Sequence, residues 1–212
     1  MRALAAQSGR HVVSLSYRFA PEHPYPAALS DCVAAINWLQ SDQPSNELTQ
    51  HLDRQQLAIG GASAGANLAL ATALSLPQNT FDALLLYYGV FNDDMSVQSY
   101  TEHRDGPGIT QARIEQIFKA YDPELRRRSD SLITPLHADL KGLPHTIIAA
   151  AEIDVLRTEN EQLAERLQTA GVAVTAWVEP GVTHGFINRG RLLPGARNSL
   201  SRSAQALASL NT

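Results

Sequence analysis

The sequence holds a single cysteine, Cys32, so no disulfide can close within the chain, and no cysteine–histidine cluster offers a zinc site. Basic residues are not in excess. Seventeen Lys and Arg against 21 Asp and Glu leave a formal charge of -4, which argues against the basic face that nucleic-acid binding favours. No apolar run approaches the roughly 18 residues of a membrane span. The opening stretch MRALAAQSGRH lacks the apolar core of a signal peptide. These absences lead to the expectation of a soluble, cytoplasmic protein with no nucleic-acid partner, no membrane span and no metal. Repeats and low-complexity linkers are missing as well. With 212 residues, 44% of them hydrophobic and 18% charged, the chain is long enough for one domain with a substantial core.

What is present is an alternation. HVVSLSY (11–17) is β-branched and precedes Pro21, Pro24 and Pro26, so it reads as a strand followed by a stiff loop. Leu29, Cys32, Val33, Ile36 and Leu39 recur at helical spacing across 27–40. QLAIGG (56–61) predicts a strand, AGANLALATALSL (64–76) a helix ending before Pro77, and DALLLYYGV (82–90) a strand buried on both faces. Residues 92–130 interrupt the alternation as a polar insertion, with Thr110 placed to cap a helix carrying Ile114, Ile117, Phe118 and Tyr121. HTIIAAA (145–151) predicts the next strand. Thr158 and Glu161 fit a capping box for a helix that Gly171 stops. VAVTAWV (172–178) predicts the last strand, and 194–210 the last helix. Five strands alternating with helices imply a mostly parallel α/β sheet.

In such a sheet the active crevice lies at the carboxyl ends of the strands. Gly61-Ala62-Ser63-Ala64-Gly65 is a G-x-S-x-G between a strand and a helix, the context of a nucleophile elbow. Gly61 and Gly65 would give the sharp turn room, and the Ala64 amide would face a developing oxyanion at the positive end of the helix. A serine hydroxyl needs a base. Among seven histidines, His11, His23, His51, His103, His137 and His145 lie in polar loops or at strand starts. His184 follows the last strand in PGVTHGFIN. The base in turn needs an acid. Asp154 and its neighbour Glu152 both lie near the end of strand 145–151 in AAAEIDVLR. With either acid, the order nucleophile, acid, base is that of α/β-hydrolases.

Four stretches carry a resemblance. SYRFAPEHPYPAALSDC, GASAGANLAL, AEIDVLRTEN and VTHGF resemble the Y-R-L-A-P-E-H-P-F-P-A-A stretch, the G-D-S-A-G-G-N-L-A elbow, the D-P-L-R-D-E acid loop and the H-G-F of the hormone-sensitive-lipase-like carboxylesterases. The similarity runs from about Ala3 to about Leu210. It places the acid on Asp154. It implies an α/β-hydrolase fold over residues 1–212 as one catalytic domain, a cap built partly from 92–130, and hydrolysis of short-chain carboxylic esters through an acyl-Ser63 intermediate, without metal or organic cofactor. The partner is then a small-molecule ester, and a homodimer is compatible with the resemblance. Tyr88, Phe91 and Phe186 are candidates for the acyl pocket, with the core as their other destination.

Two departures accompany the resemblance. Ala62 stands where the family has Asp. The H-G-G-G loop, whose amides form most of the family's oxyanion hole, has no counterpart here. The five strands correspond to the family's fourth to eighth, with α/β-hydrolase strands N-terminal to them missing and the third absent from between 11–17 and 56–61. The gap requires that those two strands pair directly, that another segment fills it, or that the chain is a fragment. The alternative to an active esterase is therefore a catalytically weak or silent hydrolase scaffold.

Overall fold

The computed structural model describes residues 1–41, 52–53, 56–128 and 130–211. The helices and strands run α1 Arg2–Ser8, α2 Ala27–Gln40, β1 Ala58–Ala62, α3 Ala64–Ser75, β2 Ala83–Tyr87, α4 Gln98–His103, α5 Gln111–Tyr121, β3 His145–Ile153, α6 Arg157–Thr169, β4 Val174–Thr183 and α7 Pro194–Ala208. The four strands form one parallel sheet in the order β1-β2-β3-β4. No helix among the described residues is long and apolar enough to cross a membrane.

Alternation of side chains across the pleat builds three layers. Leu84 and Leu86 of β2 and Ile148 of β3 meet Ala66, Ala69 and Leu70 of α3 and Leu163 and Leu167 of α6 on one face. Ala83, Leu85 and Tyr87 of β2 and Ile147 and Ala149 of β3 meet Ala196 and Leu207 of α7 on the other, where Leu4 of α1 joins them. This double covering is why β2 is apolar at every position and buried at every position. α1 lies against α7, tied by a hydrogen bond from Ser201 Oγ to Gln7 Oε1 at 3.0 Å. α2 covers α3 through Leu29 and Cys32 against Leu68 and Ala71. In the stretch 92–130, Tyr100 of α4 and Ile114 and Phe118 of α5 pack with Val155 and Leu156, directly after the turn that carries Asp154.

Four expectations are corrected. Among the described residues the sheet has four strands, not five, because residues 11–17 join no ladder. Arg10 anchors the start of that stretch through an ion pair to Asp82 at 2.6 Å. Beyond it the chain runs over the surface, with Val13 62% and Leu15 44% exposed. β-branched alternation favours extended backbone, but a strand also needs a partner within about 4.8 Å. The stretch does not pair with β1, and among the described residues no other segment lies between them in the sheet. The capping box at α6 does not form. Thr158 instead exchanges hydrogen bonds with Ser99, accepting from its amide at 3.1 Å and giving its own amide to Ser99 Oγ at 3.2 Å. The last strand begins at Val174 and runs on to Thr183, which delivers the chain directly to His184. β2 ends at Tyr87 rather than Val90, because Tyr88 turns to a φ of 37°. The Thr110 cap forms as expected, its hydroxyl accepting from the Arg113 amide at 3.2 Å.

Candidate active site

The site begins at the last ladder bond of β1. The Ser63 amide donates to the Tyr87 carbonyl at 2.9 Å, continuing the β1–β2 pairing by one residue. The Ser63 carbonyl then accepts from Ala66 and Asn67 and starts α3. Doing both within one residue forces φ to 56° and ψ to -122°, a conformation that costs a non-glycine residue about 1–3 kcal/mol. Gly61 makes the turn sterically feasible. A Cβ there would lie 2.2 Å from the Gly65 carbonyl oxygen. Gly65 itself is not crowded, since a Cβ added to it meets nothing within 4 Å. Its part in the turn is the close passage of its backbone over Gly61. Ser63 makes no side-chain cap bond to α3, although serine at a helix N-terminus commonly does. Its hydroxyl points elsewhere.

That direction is His184. Ser63 Oγ lies 2.9 Å from His184 Nε2, and Asp154 Oδ2 lies 2.7 Å from His184 Nδ1. Asp154 is held by burial, its side chain 1% exposed, and by the Leu156 amide, which donates to Oδ1 at 3.1 Å. A carboxylate at Nδ1 favours the tautomer with the proton on that nitrogen, leaving Nε2 free to accept from the serine hydroxyl. Glu152, the competing acid, faces away from the histidine and accepts the Gly181 amide at 2.7 Å. The Ala64 amide opens α3, where the first N–H groups have no acceptor within the helix. Of the other histidines, His137 bonds Asn92 and His145 bonds Thr175. His11 and His23 are exposed, His103 sits beside Glu102 at 3.8 Å, and His51 lies outside the described residues.

The aromatic candidates divide. The Tyr88 ring meets the His184 ring edge-on at 4.8 Å between centroids, with Phe186 behind it at 5.3 Å. Both residues are buried, so they back the histidine from inside the core rather than line an open pocket. Phe91 belongs to the core on the α3 and α6 side of the sheet, and the structure does not bring it to Ser63.

Other contacts were not legible as site features. Gly108, at φ 101°, sits so close to His184 that a Cβ would stand 3.2 Å from the His184 nitrogen, so the loop before α5 rests on the histidine backbone. Asn67 of α3 ties Val90 and Ile133 through Nδ2 at 2.7 and 2.9 Å. Glu159, fully buried in the first turn of α6, accepts the Phe91 amide at Oε1 at 2.6 Å. Burial pushes its carboxyl well above the ordinary value, the Phe91 and Asn92 amides pull it back, and nearby Asp154 and Asp93 push it up further. Asn160 receives the Gly89 amide at 3.0 Å and returns a bond to the Gly89 carbonyl at 2.8 Å. The signal in the sequence was the acid–amide pair one turn after Asp154, but nothing in the letters states that both are buried.

Comparison with known proteins matches residues 1–188 to a family described by the alpha/beta hydrolase fold. The chain belongs to that family. Within it the chain stands with the hormone-sensitive-lipase-like carboxylesterases. It is 35% identical to the carboxylesterase NlhH of Mycobacterium tuberculosis over 97% of its own length and 66% of that protein's. It is 32% identical to an arylesterase of Saccharolobus solfataricus over 85% of its length and 59% of that protein's. A solved esterase of the archaeon Pyrobaculum calidifontis superposes with a TM-score of 0.90 at 32% identity, covering 99% of this chain and 70% of that one. The chain thus spans just under two thirds, or less, of the curated relatives it matches.

Proposed function

We propose that the protein is a serine carboxylesterase acting on small carboxylic esters of short acyl chain. The observation that carries this reading is the single imidazole bridging Ser63 Oγ and Asp154 Oδ2 at 2.9 and 2.7 Å, beside a serine held in a strained turn and free of any capping duty. Ser63 attacks the ester carbonyl while His184 Nε2 takes the hydroxyl proton, and Asp154 stabilises the imidazolium that forms. The Ala64 amide and the positive end of α3 stabilise the tetrahedral oxyanion. Collapse of the intermediate expels the alcohol, which takes the proton from His184. Water then attacks the acyl carbonyl as His184 takes its proton, and collapse of that second intermediate returns the proton to Ser63 Oγ as the acid leaves. None of these steps calls for a metal or an organic cofactor. Residues 92–130, packed beside the Asp154 turn, act as a cap within a single catalytic domain, and the substrate partner is a small ester. The test is hydrolysis of p-nitrophenyl acetate by the 212-residue chain beside its Ser63→Ala variant. Equal rates from the two would overturn the proposal.

A second reading has its own observation. Among the described residues β1 has a hydrogen-bonded neighbour on one side only, β2, and Gly60 on it is exposed. Donors that would face the oxyanion from the β1 side are therefore few, and loss of one such donor costs about 2.7–4 kcal/mol of transition-state stabilisation. On this reading the chain is a slow or silent scaffold with its triad assembled. A fluorophosphonate probe distinguishes the two. Slow labelling of Ser63 together with slow ester turnover favours the scaffold, and both fast together favour the esterase.

A further inference from the structure

Two non-glycine positions at the carboxyl ends of adjacent strands carry a positive φ. Ser63 has φ 56° and Tyr88 has φ 37°. They follow the register pair Ala62 and Tyr87, so they stand side by side at the rim of the sheet. Both touch His184, one by hydrogen bond and one by ring contact. A positive φ is rare in tyrosine, and such strain persists only where the surroundings over-determine it. For Ser63 the constraint is the β1–α3 turn itself. No helix starts at Tyr88, so its constraint must come from elsewhere.

The structure supplies it from the first turn of α6. Asn160 grips the residue after Tyr88 at two points, accepting the Gly89 amide and donating to the Gly89 carbonyl. Its Nδ2 also bonds the Leu156 carbonyl at 2.8 Å, which fixes the amide plane. Two residues further along, the Phe91 amide donates to Glu159 Oε1. On the near side, the Tyr88 amide itself bonds the Ala149 carbonyl of β3 at 2.8 Å. Tyr88 is thus pinned before, at and after its strained peptide. Glu159 and Asn160 are 0% and 1% exposed, so water does not compete for these bonds. The groups facing Glu159 are Asp154, Asp93 and Tyr100.

We propose that Glu159 and Asn160 are positioning residues for the base: they hold the 88–91 turn against its strain, and through the Tyr88 ring they fix the imidazole of His184 between Asp154 and Ser63. The proposal rests on the esterase reading for its kinetic consequence but not for its geometry. Asp154 holds one ring nitrogen, and a single hydrogen bond leaves the imidazole free to rock about that axis. The edge-on tyrosine removes this freedom, and the clamp on Gly89 and Phe91 keeps the tyrosine in place.

The test combines kinetics with imidazole NMR on the intact chain. Asn160→Ala and Glu159→Ala should each lower kcat for p-nitrophenyl acetate about 10- to 100-fold, the scale set by a displacement of about 1 Å in a reacting group, and leave KM nearly unchanged. Glu159→Gln, which keeps an acceptor for the Phe91 amide, should restore most of the rate. Tyr88→Leu should cause a similar loss, and combining it with Asn160→Ala should add little, because both act through one ring. The His184 ring-proton resonances should move in the alanine variants in the direction that Tyr88→Leu moves them. Additive losses, or unchanged His184 resonances in folded Asn160→Ala and Glu159→Ala, would overturn the proposal. If the alanine variants do not fold, Glu159→Asp, one methylene shorter, should still lower kcat without raising KM, and a wild-type kcat there overturns it equally. A wild-type chain without esterase activity defeats the functional reading alone, since the NMR comparison still decides this one.

Discussion

β1 and β2 are each five residues long, parallel, and paired to one another in register, yet they live in different surroundings. Every residue of β2 is buried between two layers of helices, whereas β1 is only partly covered and exposes Gly60. Ser63 stands at the end of the thinner of the two. His184 and Asp154 stand at the ends of strands beyond the thicker one. The elbow at Ser63 is therefore supported mainly from one side, by the Tyr87 carbonyl of β2 and by α3 behind it. On the proposed reading, chemistry that needs a strained serine is hung on an edge strand of the described sheet. The well-buried strands serve as the reference frame that locates the histidine.

The contrast can be broken first at the serine. Ser63→Ala should lower kcat for ester hydrolysis by about 10⁴- to 10⁶-fold, as loss of a triad nucleophile does, while the unfolding midpoint is little changed because alanine carries the same backbone strain at this φ. Next come the strands. Leu84→Ala in β2 leaves a cavity in the core and should cost about 2–5 kcal/mol in denaturant unfolding. Ile59→Ala in β1, partly exposed, should cost less than half as much. Equal costs would erase the distinction between the strands.

Glu159, which secures the exit of β2, gives a pH test. Burial raises its folded-state value above the ordinary 4.5, so on raising the pH the unfolded chain loses this proton before the folded chain does. The unfolded state then binds fewer protons, and stability falls as pH rises from the ordinary value toward the raised one. Glu159→Gln removes the ionisation. Its stability relative to wild type should climb across that window, read as urea midpoints at pH about 5 and about 8. The smallest effect is expected outside the sheet. Val13→Ser, at a position 62% exposed, should change stability by no more than about 0.5 kcal/mol. A larger loss would mean that 11–17 is paired after all.

Much of this arrangement could be read from the residues. The strand–turn–helix around Ser63, the acid past β3 and the histidine past β4 all follow from where apolar runs stop and glycine begins. What escaped was set by partners distant in sequence. HVVSLSY has the letters of a strand, but a ladder is a property of two segments, and none lies beside it in the sheet among the described residues. Thr158 and Glu161 have the spacing of a capping box, but the Ser99 hydroxyl reaches the Thr158 amide first. Phe91 follows β2 closely enough to suggest the crevice, but the positive φ at Tyr88 sends the next residues to the opposite face. Asp154 and Glu152 are equivalent acids by position. The 2.7 Å contact of Asp154 with His184, and the Gly181 amide that occupies Glu152, separate them by geometry.

The contact between α1 and α7 has a consequence for the order of assembly. β1, β2, β3 and β4 lie in the sheet in the order in which they are synthesised, so each strand can dock on its predecessor through a nearby helix. α1 has no such neighbour. Its partner residues, such as Ser201 for Gln7, come 194 positions later. Loop closure over that distance is slow relative to local pairing. The contact of α1 with α7 is therefore expected to form after the local ones. Docking of α1 on α7 is then expected late in folding, and φ-values near zero for substitutions at Leu4 and Gln7 would show it.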